Sequence, residues 1–211
     1  MDFQSTLFAD DLAAPTPLRP ERRLLAHGAW VDVQRNWLGG ADEVFHALVR
    51  EVPWRAERRE MYDQVVAVPR LLHTYGIGAQ LPHPALTEAM TGLSAHYLPE
   101  LGEEFVTAGC CYYRDGRDSV AWHGDTIGRG RTQDTMVAIV SFGDPRRLLL
   151  RPRKEPGVDG GAGSSSLSFT LGHGDLLVMG GSCQRTWEHA VPKQAHAGPR
   201  VSVQFRPRNV F

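Results

Sequence analysis

Apolar and polar residues alternate in two different rhythms along this chain, and the change comes near residue 102. In "ADEVFHALVREV" (41–52), Val44, Phe45, Leu48 and Val52 recur at three- and four-residue intervals, which predicts an amphipathic helix stopped by Pro53. The stretch "PALTEAMTGLSAHYL" (84–98) repeats that spacing and predicts a second helix. "AWVDVQRNWL" (29–38) reads as a first strand. Beyond Gly102 the runs are short and β-prone, "EFVTAGCCYY", "TMVAIVSFG", "RRLLLRPR", "SLSFTLG", "GDLLVMG" and "RVSVQFRP", each closed by Gly, Asp, Pro or Ser. Six such runs with no helical pattern between them predict a mainly β fold with flanking helices, a sandwich or jelly roll rather than a parallel sheet.

Length and composition support one domain. The chain has 211 residues, 42% of them hydrophobic, enough for one substantial core. Within it we expect a loosely ordered arm over 1–25, a segment of helices and strands over 26–104 that contributes to substrate recognition, and a β core over 105–211. The loop "EPGVDGGAGSSS" (155–166) is expected to be a hairpin tip. No run approaches the roughly 20 apolar residues of a membrane span, and the first residues lack a secretory signal, so a cytoplasmic protein is expected. Cys110 and Cys111 are neighbours that could bridge only with strain, leaving Cys183 without a mate, so reduced thiols are expected. No membrane contact and no obligate protein partner are read from the sequence.

Charge separates the halves: residues 1–110 carry 9 Lys and Arg against 15 Asp and Glu, and residues 111–211 carry 14 against 9. The basic half is mostly arginine, whose forked donors suit phosphate or carboxylate. Arg114, Arg117, Arg129, Arg131, Arg146, Arg147, Arg151 and Arg153 are candidate phosphate contacts.

The tripeptide His-Gly-Asp occurs twice, at His123–Asp125 and His173–Asp175. Two histidines and one carboxylate with open positions bind iron(II) in non-haem oxygenases. On a jelly roll the third ligand returns on a strand several strands later. His189 lies 66 residues after His123, room for four strands, but only 16 after His173. The first copy is therefore the candidate, and the second reads as a tight turn into "LLVMG". In "RVSVQFR", Arg200, Ser202, Gln204 and Arg206 share one face of a strand, and Val201, Val203 and Phe205 share the other. Two arginines on one face are costly if buried alone and need an anionic partner: a dicarboxylate would satisfy them, with Tyr113 adding a hydroxyl, whereas on an exposed edge strand surface carboxylates would.

The ordered set "VPRLLHTYG", "CYYRDGRDSVAWHGD", "VAIVSFGD", "GDLLVMGGSCQRTWEHAVP" and "RVSVQFR" resembles the AlkB family of Fe(II)- and 2-oxoglutarate-dependent dioxygenases, from about residue 52 to the C-terminus. The resemblance implies a double-stranded β-helix core. It implies His123, Asp125 and His189 as iron ligands, Arg200 and Arg206 as holders of the 2-oxoglutarate carboxylates, and Tyr113, Gln204 and Cys111 as pocket lining. Cys111 and Ser202 stand where the family commonly has Asn, and Ile127 stands where base-repairing members often have an acid. Tyr75, His73, His83, Thr126, Ile127 and Arg129 are the candidate substrate contacts. The implied reaction uses Fe(II), 2-oxoglutarate and O₂ to hydroxylate an N-alkyl group on a base in DNA or RNA, of the 1-methyladenine or 3-methylcytosine type, releasing formaldehyde, succinate and CO₂. Two other readings stay open: a hydroxylase of a protein or small molecule, and a non-catalytic cupin-like binding protein.

Overall fold

The computed structural model describes residues 13–61, 64–125, 127–153 and 166–210. In chain order the strands are β1 (Glu21–Leu24), β2 (Ala29–Gln34), β3 (Arg55–Met61), β4 (Gln64–Tyr75), β5 (Thr107–Tyr113), β6 (Val120–His123), β7 (Val137–Gly143), β8 (Arg146–Pro152), β9 (Leu167–Leu171), β10 (Leu176–Gly181), β11 (Trp187–Val191) and β12 (Arg200–Arg206). The helices are α1 (Ala41–Glu51), α2 (Pro84–Leu101) and the single turn α3 (Cys183–Thr186). An eight-stranded sheet in the order β1-β2-β10-β7-β12-β5-β4-β3 faces a four-stranded sheet in the order β6-β11-β8-β9, and the paired strands run antiparallel. This is the expected jelly roll.

Strand alternation sorts the apolar residues into two cores. On β7, Ala138, Val140 and Phe142 face α1 and α2, while Val137 and Ile139 face the smaller sheet; on β10, Leu176 and Val178 go one way, Leu177 and Met179 the other. The helix-side core is completed by Val44 and Leu48 of α1, by Leu86, Ala89, Leu93 and Tyr97 of α2, and by Val201, Val203 and Phe205 of β12. At roughly 25 cal/mol per Å² of apolar surface, each fully buried Leu, Val or Phe contributes on the order of 2 kcal/mol. α1 starts at a left-handed Gly40 and stops before Pro53 as the pattern predicts, and α2 runs three residues past its predicted end, to Leu101.

Several differences from the sequence reading have local causes. Residues 1–12 of the expected arm lie outside the described residues, but Glu21–Leu24 pairs with β2, and Arg22 holds both oxygens of buried Asp32 (2.7 and 2.8 Å) and reaches Glu100 on α2. The first expected strand ends at Gln34, because Asn36 turns the chain at φ 48° to bury Trp37 and Leu38. β3 and β4 were not expected, partly because Pro69 interrupts the run; it sits beside the register shift between Ala56 and Arg58, beyond the β4–β5 pairing that covers Leu71–Tyr75. β8 pairs with β9 across the expected hairpin, whose tip, 154–165, lies outside the described residues. Among the described residues no helix is long and apolar enough to cross a membrane. Cys110, Cys111 and Cys183 are free thiols.

Candidate active site

Four strands, β7 to β10, lie between the strands that end at His123 and contain His189, and β6 pairs with β11 so that His189 sits directly across from His123. Their ring centroids are 4.2 Å apart. The chain leaves β6 at His123 and turns through Gly124, which brings Asp125 Oδ1 to 3.9 Å from His123 Nε2. One donor atom from each of His123, Asp125 and His189 lies within 4.8 Å of the others, the set among the described residues that could hold a metal ion. His123 Nδ1 donates to Ala121 O at 2.9 Å, which leaves the Nε2 lone pair free for a ligand.

Electrostatics prepares these groups. Asp125 is 4% exposed; burial opposes its charge, but the Arg206 guanidinium and the two imidazoles hold its carboxyl down at about 2. His189 is 8% exposed, and burial, reinforced by His123, lowers its pKa to about 3, so it is the neutral imidazole a metal takes. The donor set, two imidazoles and one carboxylate, suits iron(II) with positions left open.

Beside the triad, between the sheets, lies a cavity lined by Arg70, Cys111, Tyr113, Arg200, Ser202, Gln204 and Arg206, with apolar walls from Val120, Ile139, Leu148 and Val191. Strand alternation on β12 turns all four polar residues toward it. Arg200 is 2% exposed; its Nε donates to Ser141 Oγ at 2.8 Å, and its Nη1 is buried with no hydrogen-bond partner among the described residues. Its guanidinium carbon is 5.2 Å from the Tyr113 ring centre. A buried arginine with an unpartnered Nη1 fits a carboxylate ligand. Arg206 differs from the expectation that both arginines wait for the diacid, because its Nε already donates to Asp125 Oδ2 at 2.8 Å. Gln204 donates to Ser202 Oγ at 2.5 Å and faces the Cys111 thiol at 3.7 Å, so the two residues that stand in place of Asn meet at this glutamine.

A second cavity adjoins the first at His123 and also borders Asp125. It is lined by Glu57, Arg70, Leu72, His73, Cys111 and Ile127, together with Gly109 and Arg206. His73 and Ile127 thus reach the site, and Ile127 is 69% exposed. Tyr75 packs on the helix-side core, with its ring 4.6 Å from that of His73. His83 caps α2, accepting from Ala85 N at 3.2 Å. Arg129 pairs with Glu103 and donates to Arg208 O at 3.0 Å. Thr126 lies outside the described residues.

Of the arginines read as phosphate contacts, Arg146 is corrected: it is buried and donates to the carbonyls of Asp115, Asp118 and Pro192. Arg114, Arg117 and Arg151 pair with Asp118, Asp115 and Glu188. Arg70, which lines both cavities, had no role in the sequence reading, although it stands in the quoted "VPRLLHTYG".

The copy at 173–175 serves the fold. His173 Nδ1 accepts from Gly143 N at 2.8 Å, and Asp175 accepts from Arg35 Nη1 (2.5 Å), Asn36 N (2.9 Å) and Gly172 N (2.8 Å) as the chain enters β10.

A family model described as the 2OG-Fe(II) oxygenase superfamily matches residues 75–206, a span that contains the triad and both β12 arginines. The chain belongs to that superfamily. With the superfamily come iron(II) as cofactor and 2-oxoglutarate and O₂ as co-substrates. Within it, the chain is similar to AlkB-type dioxygenases. It is 33% identical over 179 residues to bovine alpha-ketoglutarate-dependent dioxygenase alkB homolog 3, covering 79% of this chain and 61% of the relative. It is 30% identical over 196 residues to the human counterpart, covering 87% and 65%. Human DNA oxidative demethylase ALKBH2 is 27% identical over 178 residues, covering 79% and 68%. The chain therefore spans 61% to 65% of the length of these homolog 3 proteins. Among solved structures, OsALKBH1 aligns with a TM-score of 0.55 at 14% identity, covering 87% of this chain and 100% of that one. A Trichoplax adhaerens prolyl hydroxylase solved with a peptide aligns at 0.58 and 11%, covering 84% and 83%. Both share the fold.

Proposed function

We propose that this oxygenase removes alkyl groups from N-alkylated bases, of the 1-methyladenine or 3-methylcytosine type, in DNA or RNA. The observation that carries the reading is that two cavities meet at His123 of the triad, one reaching between the sheets to the buried Arg200 and the other bordered by His73 and the exposed Ile127. Two relatives whose names specify a DNA oxidative demethylase or an alkB homolog add to it. The cytoplasmic expectation is part of the proposal, and three free thiols fit a reducing compartment.

His123, Asp125 and His189 would hold iron(II), which with 2-oxoglutarate and O₂ supplies the oxidation that hydroxylates an N-alkyl carbon and yields succinate, CO₂ and formaldehyde. Arg200, with Ser141 and Tyr113 beside it, binds a carboxylate of the co-substrate at the Arg200 end of its cavity. Val120, Ile139, Leu148 and Val191 keep water from that end. Arg206 holds the Asp125 carboxylate ionised and oriented. His73 offers a flat ring to a base that is single-stranded or has been turned out of its stack. The exposed apolar side chain of Ile127 at the rim favours a second reading, hydroxylation of a substrate other than nucleic acid.

One assay separates them. The protein is incubated with Fe(II), 2-oxoglutarate and methylated DNA or RNA oligonucleotides, and both succinate and oligonucleotide mass are followed. Loss of the methyl group coupled to succinate is expected. Oligonucleotides that all stay methylated would overturn the first reading and leave the second standing.

A further inference from the structure

We infer that Gln184, on α3 behind the metal ligands, is a positioning residue that fixes the His123-Gly124-Asp125 turn and so sets the affinity of the site for its ion. The inference rests on the reading of His123, Asp125 and His189 as ligands. Gln184 Oε1 accepts from the Asp125 backbone N–H at 3.1 Å, a contact between residues 59 apart in sequence. The carboxylate of Asp125 is held independently by Arg206, so the ligand is fixed at two points, its backbone from α3 and its side chain from β12.

The turn is also seated by shape. A Cβ at Gly124 would collide with Arg153 Nη2 and lie 2.9 Å from Gln184 O and 3.2 Å from Trp187 O, so the glycine brings the chain flush against α3 and the start of β11. Arg153 is tied to the same wall, donating from Nε to Trp187 O at 3.3 Å and from its backbone N–H to Thr186 O at 2.8 Å. α3 is therefore a step that joins the turn of the first two ligands to the strand that carries the third.

Burial argues that the amide of Gln184 has a task beyond filling space. The residue is 1% exposed, and its Nε2 has no hydrogen-bond partner among the described residues. A half-satisfied buried amide is less favourable for folding than an apolar side chain of the same volume. Methionine at 184 would pack at least as well, and what it would lack is the acceptor for Asp125 N.

The test is Mn(II) binding, read by the loss of the free-ion electron paramagnetic resonance signal, so that turnover is not needed. Gln184→Met is expected to weaken Mn(II) binding about 10- to 100-fold, the range for partners that orient metal ligands. The same variant should melt within a few degrees of the unsubstituted protein. Co(II) in the Met variant should show an altered visible spectrum, since the ligand geometry changes. Equal Mn(II) affinity in Gln184→Met and the unsubstituted protein would overturn the inference. If the Met variant does not fold, Gln184→Asn, whose shorter side chain withdraws the acceptor, decides by the same measurement. Failure of the unsubstituted protein to bind Mn(II) would instead strike the ligand assignment.

Discussion

The two His-Gly-Asp turns of this chain have the same three residues and opposite surroundings. At 123–125 the histidine sits across a strand pair from a second imidazole, and the aspartate is buried against Arg206 with an oxygen left toward both rings. At 173–175 the aspartate accepts from one arginine and two backbone N–H groups, and the histidine from a third, so the acceptors are used up in holding a turn. A tripeptide thus carries no chemistry of its own. What decides is whether the fold supplies hydrogen-bond donors that saturate its oxygens and nitrogens or a further ligand that leaves a gap of ionic size.

That contrast can be broken most severely by alanine at the two histidines. His123→Ala should reduce 2-oxoglutarate turnover to background, while His173→Ala should keep most of it; succinate release measures both, and the reverse ranking would assign the metal to the wrong turn. Next in size is the anion cavity that only the first turn borders. Arg200→Met should raise the KM for 2-oxoglutarate by about 10- to 100-fold, the loss of a charged hydrogen bond worth about 1.5 to 3 kcal/mol, with Mn(II) affinity little changed. An unaltered KM would take the diacid away from Arg200.

Two smaller effects concern stability. Mn(II) at about 100 times its Kd should stabilise the protein by about 2.7 kcal/mol, seen as a rise in Tm, in the unsubstituted chain and in Asp175→Ala but not in Asp125→Ala. Without metal, Asp175→Ala should cost about 2 kcal/mol in a denaturant titration, since it strands buried N–H groups. An unchanged denaturation midpoint in Asp175→Ala would take the holding role away from the second turn.

Much of this was legible in the residues. The count of strands that fit into 66 residues separates the two turns, and the even spacing from Arg200 to Arg206 assigns the faces of β12. β6 and β11, the strands bearing the histidines, escaped the pattern because they are four and five residues long and too short to show an alternation. The partners of the arginines escaped too: that Arg146 serves three carbonyls and Arg206 serves Asp125 depends on contacts between distant segments, which no local spacing encodes. His83 looked like a substrate contact because a ring beside a loop reads the same whether it faces a cavity or closes the first turn of a helix.

β12 runs between β7 and β5 with both of its faces enclosed, one by the helices and one by the co-substrate cavity. Loss of a single codon within it would exchange the two sets of side chains, driving guanidinium groups among leucines and leaving valines to greet the diacid. Substitutions can be absorbed here one at a time, but a shift of reading along the strand cannot, so any lineage of this enzyme that changes its length must do so in the connecting loops.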